Sequence, residues 1–589
     1  MFLIYHHVKA ASLTAGEIVS VFSHGLYLDT SFSAYLCVIP FFLFFLQTIF
    51  KNLRIKKIVS VYTIFFILLL NLITVADLEL YKAWGFRLDS TPLQYFNSPA
   101  EMVATASSSP IDLLIFIFIL LNIFFIWLYM GVFKKFISSP VISIKILPVL
   151  ISLFLLVFLF VPIRGGFQLI PINQSNVYFS DKMFANHAAV NVAWNFFNSV
   201  LDKNFKKKNP YLYFSDAEAR QKVDSLYTSH SNVPQQLLTT QRPNIIFIIL
   251  ESFTAKFVGC LGGEPGVTPN LDKIAKEGML FTHIYASGER SEKGLVALLS
   301  GYPTQTTISI IKSPSKTEGL PHLNRILKQL GYHSSYYYGG ELAFANIKSY
   351  LLNAGYDRLI SKYDFDKKDY NSKWGVHDHV LLNKFFVALK TETQPFFATL
   401  FTLSSHEPYE IPTRPKFEGN DETTKFKNSF NYTDSVIGNF IEQAKHQQWW
   451  DSTLIIMVAD HGHRLPGNDP SDKPTKFRIP LILTGGALKL NGQVNNNIGS
   501  QTDIAFTILQ QMDLPTANFK WSKNLLDTSA QQFAFYIFND GFGFVTPAGA
   551  VTFDNVSKKI IYKDTGVSDE QLNKGKAYMQ SSFQDYLKR

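Results

Sequence analysis

All four long apolar runs of the chain lie before Pro162: Phe32–Phe50, Ile58–Ala76, Ile111–Gly131 and Ile146–Val161. Each carries few or no charges and approaches the ~20 residues that a helix needs to cross a bilayer core. That pattern predicts four transmembrane helices and not the buried helices of a soluble domain. Met1–Asp29 is partly apolar but contains His6, His7, Lys9 and Glu17. It reads either as a weak fifth span or as a shortened N-terminus. With no basic region ahead of a compact apolar core, it is not a cleavable signal peptide.

Past Pro162 the pattern changes. Residues Pro162–Thr240 read as a connector, with a basic run at Lys203–Lys208 and a polar helical stretch around Ser215–Tyr227. From Pro243 short apolar runs alternate with amphipathic ones. Asn244–Ser252, the strand after Leu330, Phe396–Leu403, Leu454–Val458 and Ile479–Leu483 read as strands. Thr268–Phe281, Leu323–Leu330, Phe430–Gln443 and Thr502–Met512 have helical spacing. Strands alternating with helices predict an α/β domain on a mostly parallel sheet. The expected organisation is a transmembrane part (1–163), a connector (164–240), an α/β domain (241–525) and a C-terminal extension of it (526–589).

Charge adds a topology. Lys51, Arg54, Lys56 and Lys57 follow the first run, and Lys134, Lys135 and Lys145 lie between the third and fourth. Basic loops stay in the cytoplasm. Between the second and third runs Asp77, Glu79, Asp89 and Glu101 outweigh Lys82 and Arg87, so that loop belongs outside. The chain then leaves its fourth span outside, and the α/β domain is expected to be extracytoplasmic. The net charge of +9 fits attraction to an anionic membrane surface, and a nucleic-acid partner is not expected. Cys37 and Cys260, the 2 cysteines, build no disulfide framework, so the outer domain depends on its core. At 589 residues more than one structural unit is expected.

The candidate chemistry sits at strand ends. Thr453–His463 reads TLIIMVADHGH: an apolar strand that delivers Asp460 and His461 together, then Gly462 and His463. In open α/β sheets the ligand crevice lies at the carboxyl ends of strands. A turn that merely contains these residues is the alternative. Glu251 follows the unbroken apolar run Ile245–Leu250 and belongs to the same edge. Mixed carboxylate and imidazole sets suit Mn²⁺ or Zn²⁺. Ser291 precedes the apolar helical stretch Gly294–Leu299. It is either a helix N-cap or a nucleophile activated by a metal, with a helix N-terminus beside it to favour phosphate.

From Pro243 to Pro515 these pieces, in this order, resemble the alkaline phosphatase/sulfatase superfamily, most of all lipoteichoic acid synthases and related membrane phosphoglycerol or phosphoethanolamine transferases. NIIFIILES looks like the first-strand motif with its metal-binding glutamate, and the ASGERSEKG loop like the nucleophile loop. WGVHDH (Trp374–His379) resembles the family's tryptophan-bearing loop. TLSSHEPY (Thr402–Tyr409) carries His406 at the position of a substrate-binding histidine, and VADHGH supplies the Asp-His metal pair. FRLDSTPLQYFNSP (Phe86–Pro99) fits the outer loop of such proteins.

The resemblance implies one divalent cation, Mn²⁺ favoured with Zn²⁺ or Mg²⁺ as alternatives, held by Glu251, Ser291, Asp460 and His461. It implies Ser291 as the nucleophile and His406, Trp374 and His463 on the substrate. His463 either contacts phosphate, moves a proton or supports His461. The donor would be a phospholipid head group and the acceptor a glycan or polymer, at a bacterial cytoplasmic membrane. Competing readings are a phosphodiesterase or sulfatase-like hydrolase and a silent membrane sensor. No Cys/Ser-x-Pro-x-Arg motif surrounds Ser291, which argues against the formylglycine chemistry of sulfatases. A serine stands where lipoteichoic acid synthases usually carry threonine.

Overall fold

The computed structural model describes residues 1–50, 53, 55–84, 87–90, 110–133, 146–168, 170–180, 182–201, 208–228, 236–306, 308–489, 492–539 and 541–589. Lys51, Arg54, Glu101, Lys134, Lys135, Lys145, most of Lys203–Lys208 and most of Phe86–Pro99 lie outside the described residues. The chain forms two compact units, Met1–Lys207 and Lys208–Arg589, and divides inside the segment read as a connector.

In the first unit four helices are long and apolar enough to cross a membrane: Ala15–Ile49, Ile55–Lys82, Ile111–Gly131 and Ile146–Arg164. This makes the chain a multi-pass membrane protein. The N-terminal reading needs correction. Residues 15–29 are no separate span but the opening turns of the 35-residue helix Ala15–Ile49. Glu17, which weighed against a span, belongs to its capping box: Thr14 accepts from the Glu17 N–H at 3.2 Å, and Glu17 accepts from the Thr14 N–H at 2.7 Å. A carboxylate is favoured at that end of a helix. At 1.5 Å per residue the helix is ~52 Å long, well beyond a ~30 Å hydrocarbon core, which accounts for its polar first half. The short helices Met183–Ala189 and Val192–Leu201 pack on the first two long helices. The side chain of Asp77 accepts from Arg87 Nε at 2.9 Å and from the Leu88 N–H at 2.7 Å, which pins the chain beyond the second helix.

The second unit is built on eight strands: β1 Asn244–Leu250, β2 Met279–Tyr285, β3 His333–Tyr338, β4 Arg358–Ile360, β5 Phe396–Phe401, β6 Thr453–Ala459, β7 Arg478–Thr484 and β8 Gln493–Ser500. Their order is β4-β3-β5-β1-β6-β7-β2-β8. Only β7 runs against its neighbours, β6 and β2. The sheet is therefore mostly parallel, as the alternating pattern predicts. β1 and β6 are buried at every position, which is why they read as unbroken apolar runs. Thr268–Phe281 is not one helix. The helix Pro269–Glu277 stops at Gly278, whose position against Leu483 O leaves no room for a Cβ, and Met279 begins β2. The C-terminal extension is a four-stranded antiparallel sheet, β9 Ala534–Phe538 to β12 Lys559–Lys563. The helix Asp569–Lys588 packs on it.

What this architecture does for the site is local. β1 and β6 are parallel neighbours in the register Leu250↔Ala459, so Glu251 and Asp460 emerge side by side. The helix Ser291–Ser300 comes down on the same edge so closely that a Cβ at Gly294 would overlap the Asp460 carbonyl oxygen. Overpacking of this kind costs about 1–3 kcal/mol. Gly294→Ala should therefore lower stability by about 2 kcal/mol in denaturant unfolding and displace the start of that helix. Wild-type stability in the variant would contradict the close approach.

Candidate active site

Asp460 ends β6 with its two oxygens in different states. Oδ1 accepts from the Ser252 and His461 N–H groups, each at 2.8 Å. Oδ2 is buried and has no hydrogen-bond partner. Beside it, the Oε1 of Glu251 accepts from Ser252 Oγ at 2.8 Å and its Oε2 from Ser291 Oγ at 3.3 Å. The backbone of Glu251 is held from the segment that follows β5: its N–H donates to Thr402 Oγ1 at 2.9 Å, and its carbonyl accepts from Ser405 Oγ at 2.5 Å. His461 Nδ1 lies 2.8 Å from the Gly462 carbonyl, a contact that needs the proton on Nδ1. The lone pair of neutral His461 is then on Nε2, 3.5 Å from Asp460 Oδ2 and 3.7 Å from Glu251 Oε1.

Glu251, Asp460 and His461 thus each offer an atom within 4.8 Å of the others. Among the described residues neither carboxylate has a lysine or arginine partner within ion-pair distance. Two buried carboxylates, an orphaned oxygen and an imidazole lone pair form a set that a divalent cation completes. The residues present fit such an ion. Burial, with Asp460 beside it, pushes the Glu251 carboxyl up to about 8.

Ser291 is the first residue of the helix Ser291–Ser300, and the N-cap is Arg290, which makes no side-chain cap. The alternative of Ser291 as a capping hydroxyl is thereby set aside, since its Oγ turns to Glu251 instead. Two residues on, Lys293 is buried, and desolvation lowers its ammonium to about 8. The start of this helix adds further positive potential at the serine.

These groups open onto a cavity of about 700 Å³, whose walls include Glu251, Ser291, His406, Tyr409, His461 and His463. His406 lines it with Trp374 behind, ring centroids 4.9 Å apart and nearly edge-on. Trp374 Nε1 donates to the Glu407 carbonyl at 2.7 Å, which fixes the ring relative to the histidine loop. His463 accepts the Leu465 N–H on Nδ1 at 3.1 Å, so its proton is on Nε2, 3.4 Å from the Tyr409 hydroxyl. Burial, more than its charged neighbours, lowers His463 to about 3, and it stays neutral.

The structure thus brings Glu251, Ser291, Asp460 and His461 together, with His406 and His463 on the wall and Trp374 behind it. Asp378, in the WGVHDH loop, is spent on structure: it accepts from the Leu403 N–H, the Ser404 N–H and Thr433 Oγ1. Two residues went unnoticed in the sequence. Ser252 touches both carboxylates. Gln501 spans the edge: its Nε2 donates to the Ala459 and Asp460 carbonyls at 2.8 and 2.7 Å, and its Oε1 accepts from the Ser287 N–H at 2.8 Å. Ser252 directly follows Glu251, a signal that was available. Gln501 joins segments that only the fold brings together.

Residues 243–514 match the family model described as Sulfatase, and the domain they form is sulfatase-like. The chain is 30% identical over 317 residues to phosphoglycerol transferase I of Xanthomonas campestris pv. campestris (strain B100), with 51% of this chain and 44% of that protein covered. It is 23% identical over 316 residues to the lipoteichoic acid synthase-like YvgJ of Bacillus subtilis (strain 168), covering 49% of this chain and 51% of that protein. The chain therefore spans about half the length of these curated relatives. A solved alkaline phosphatase superfamily protein from Vibrio parahaemolyticus superposes with a TM-score of 0.56 at 27% identity. That match covers 64% of this chain and 97% of the other.

The raised Glu251 carboxyl has a stability consequence. Its ordinary value is 4.5 and its folded value about 8. Between these the folded state holds the proton better than the unfolded state, so this group's contribution to stability falls as pH rises through that window. In metal-free protein, Glu251→Gln should remove that part of the decline in melting temperature between pH 4.5 and about 8. A slope that the substitution leaves unaltered would contradict the shift.

Proposed function

We propose that this chain is a metal-dependent, membrane-anchored transferase that moves a phosphoglycerol or phosphoethanolamine head group from a phospholipid to a hydroxyl of a glycan or polymer, through an ester on Ser291. The observation that carries this reading is the Ser291 hydroxyl 3.3 Å from Glu251, on the rim of a three-residue cluster suited to a cation. The similarity to a phosphoglycerol transferase of Xanthomonas campestris favours phosphoglycerol as the group transferred. The four apolar helices suit a lipid donor, with the sulfatase-like domain on the extracytoplasmic side of a bacterial cytoplasmic membrane.

In this reading Glu251, Asp460, His461 and Ser291 hold the ion, Mn²⁺ favoured. When bound, it lowers the pKa of the serine hydroxyl and stabilises charge on phosphoryl oxygens. Ser291 Oγ attacks the phosphorus, the bond to the diacylglycerol oxygen breaks, and the serine proton ends on the released diacylglycerol. An acceptor hydroxyl then attacks the same phosphorus, the Ser291 ester breaks, and a proton returns to the serine. The Ser291 and Glu292 N–H groups precede the first bonds of the helix, which Lys293 and Gly294 donate to the Arg290 carbonyl at 3.0 and 3.1 Å, and would serve the phosphoryl group. His463 donates through Nε2 without becoming charged. His406, backed by Trp374, positions the head group. Phosphoryl transfer fits better than sulfate-ester hydrolysis, because Ser291 is followed by Glu292, Lys293 and Gly294 and not by a formylglycine motif.

The test is full-length protein in detergent with Mn²⁺ and fluorescent phosphatidylglycerol or phosphatidylethanolamine. Labelled diacylglycerol should appear, chelator should stop it, and Ser291→Ala should lower the rate about 10⁴-fold or more without changing the fold by circular dichroism. Release that persists in Ser291→Ala would sink the nucleophile, and release that ignores chelator would sink the metal. Free glycerol phosphate or phosphoethanolamine formed regardless of added acceptor would make the enzyme a hydrolase.

A further inference from the structure

Ser252 stands where the backbone favours another residue. Its φ is +58°, the left-handed region that glycine enters without cost and a residue with a Cβ does not. It is also buried, at 5% exposure. Its side chain is what separates it from glycine, and the hydroxyl of that side chain donates to Glu251 Oε1 at 2.8 Å. The same turn of the chain aims its N–H at Asp460 Oδ1, also at 2.8 Å. One residue therefore occupies one oxygen of each carboxylate.

What remains free follows atom by atom. Asp460 Oδ1 is filled by Ser252 and His461 N–H donors, and Oδ2 is left without a partner. Glu251 Oε1 accepts the short 2.8 Å bond from Ser252 Oγ, and Oε2 accepts only the longer 3.3 Å bond from Ser291 Oγ, a group that would give up that proton on binding the ion. The Ser252 hydroxyl has a single proton, and Glu251 takes it. At 3.5 Å from His461 Nε2, Ser252 leaves that lone pair available. The cluster thus presents one donor atom from each of Glu251, Asp460, His461 and Ser291.

We propose that Ser252 is a positioning residue that holds both carboxylates to single-oxygen coordination and thereby selects a small divalent cation over a large one. The inference rests on the reading of the cluster as a cation site. Its physical basis is coordination number. Ca²⁺ takes six to eight oxygens and accepts bidentate carboxylates readily, whereas few single-atom donors with an imidazole suit Mn²⁺ or Zn²⁺. Without the Ser252 hydroxyl, Glu251 Oε1 is released and the carboxylate can present both oxygens to a larger ion.

The experiment uses the full chain in detergent, stripped by chelator, with Mn²⁺ binding followed by electron paramagnetic resonance and Ca²⁺ added as competitor. Ser252→Ala should bind Mn²⁺ about tenfold more weakly, in line with the usual cost of losing a group that orients a ligand. Ca²⁺ should displace Mn²⁺ at about a tenfold lower ratio than in wild type. Ser252→Gly relieves the left-handed backbone and should melt no lower than wild type without metal, yet share the altered selectivity. Wild-type Mn²⁺ affinity and ratio in Ser252→Ala would overturn the proposal. So would a Ser252→Gly variant that keeps wild-type selectivity, because backbone strain and not the hydroxyl would then be the cause. Wild-type protein that binds no Mn²⁺ would overturn the cation site itself, an outcome distinct from both.

Discussion

Two carboxylates are forced together. Once β1 and β6 pair in the register Leu250↔Ala459, Glu251 and Asp460 leave neighbouring strands at the same level, both essentially without solvent exposure. Like charges less than 5 Å apart at an effective dielectric near 20 repel by on the order of 3–4 kcal/mol. Hydrogen bonds from Ser252 and His461 soften this but leave Asp460 Oδ2 unsatisfied. The metal-free protein answers by favouring a proton on Glu251. A divalent cation answers it better, and the surrounding structure reads as support for that ion. Gln501 ties the end of β6 to the loop before Ser291, Thr402 and Ser405 hold the Glu251 backbone, and Gly294 lets the serine helix close in.

The same constraint explains what the sequence disclosed. A strand buried on both faces must be apolar throughout, so Ile245–Leu250 and Leu454–Ala459 announce themselves, and a charged residue straight after such a run is conspicuous. Glu251, Asp460 and His461 were visible for that reason. Ser291 was visible as a choice between cap and nucleophile, and the direction of its hydroxyl sets the cap aside. The four apolar helices were equally plain, because a bilayer demands length and composition together.

Other features depend on contacts between distant segments. Gln501 looks like any polar residue ahead of a helix until the fold sets it against Ala459 and Ser287. β2 was hidden because Thr268–Phe281 keeps apolar residues in a helical rhythm up to the point where Gly278 meets β7. The N-terminal helix was obscured by Glu17, whose charge is a liability inside a span and an asset at a helix start. The antiparallel C-terminal sheet has strands of five or six residues, too short for alternation to stand out.

The central claim is that Ser291 becomes covalently bound to the transferred group. Protein mixed with phosphatidylglycerol and Mn²⁺, quenched within the first turnover and digested, can be read by peptide mass spectrometry. The account predicts a glycerophosphate ester on the peptide containing Ser291, absent in Ser291→Ala. Diacylglycerol released with no adduct at any time point, or an adduct on another residue, would contradict it.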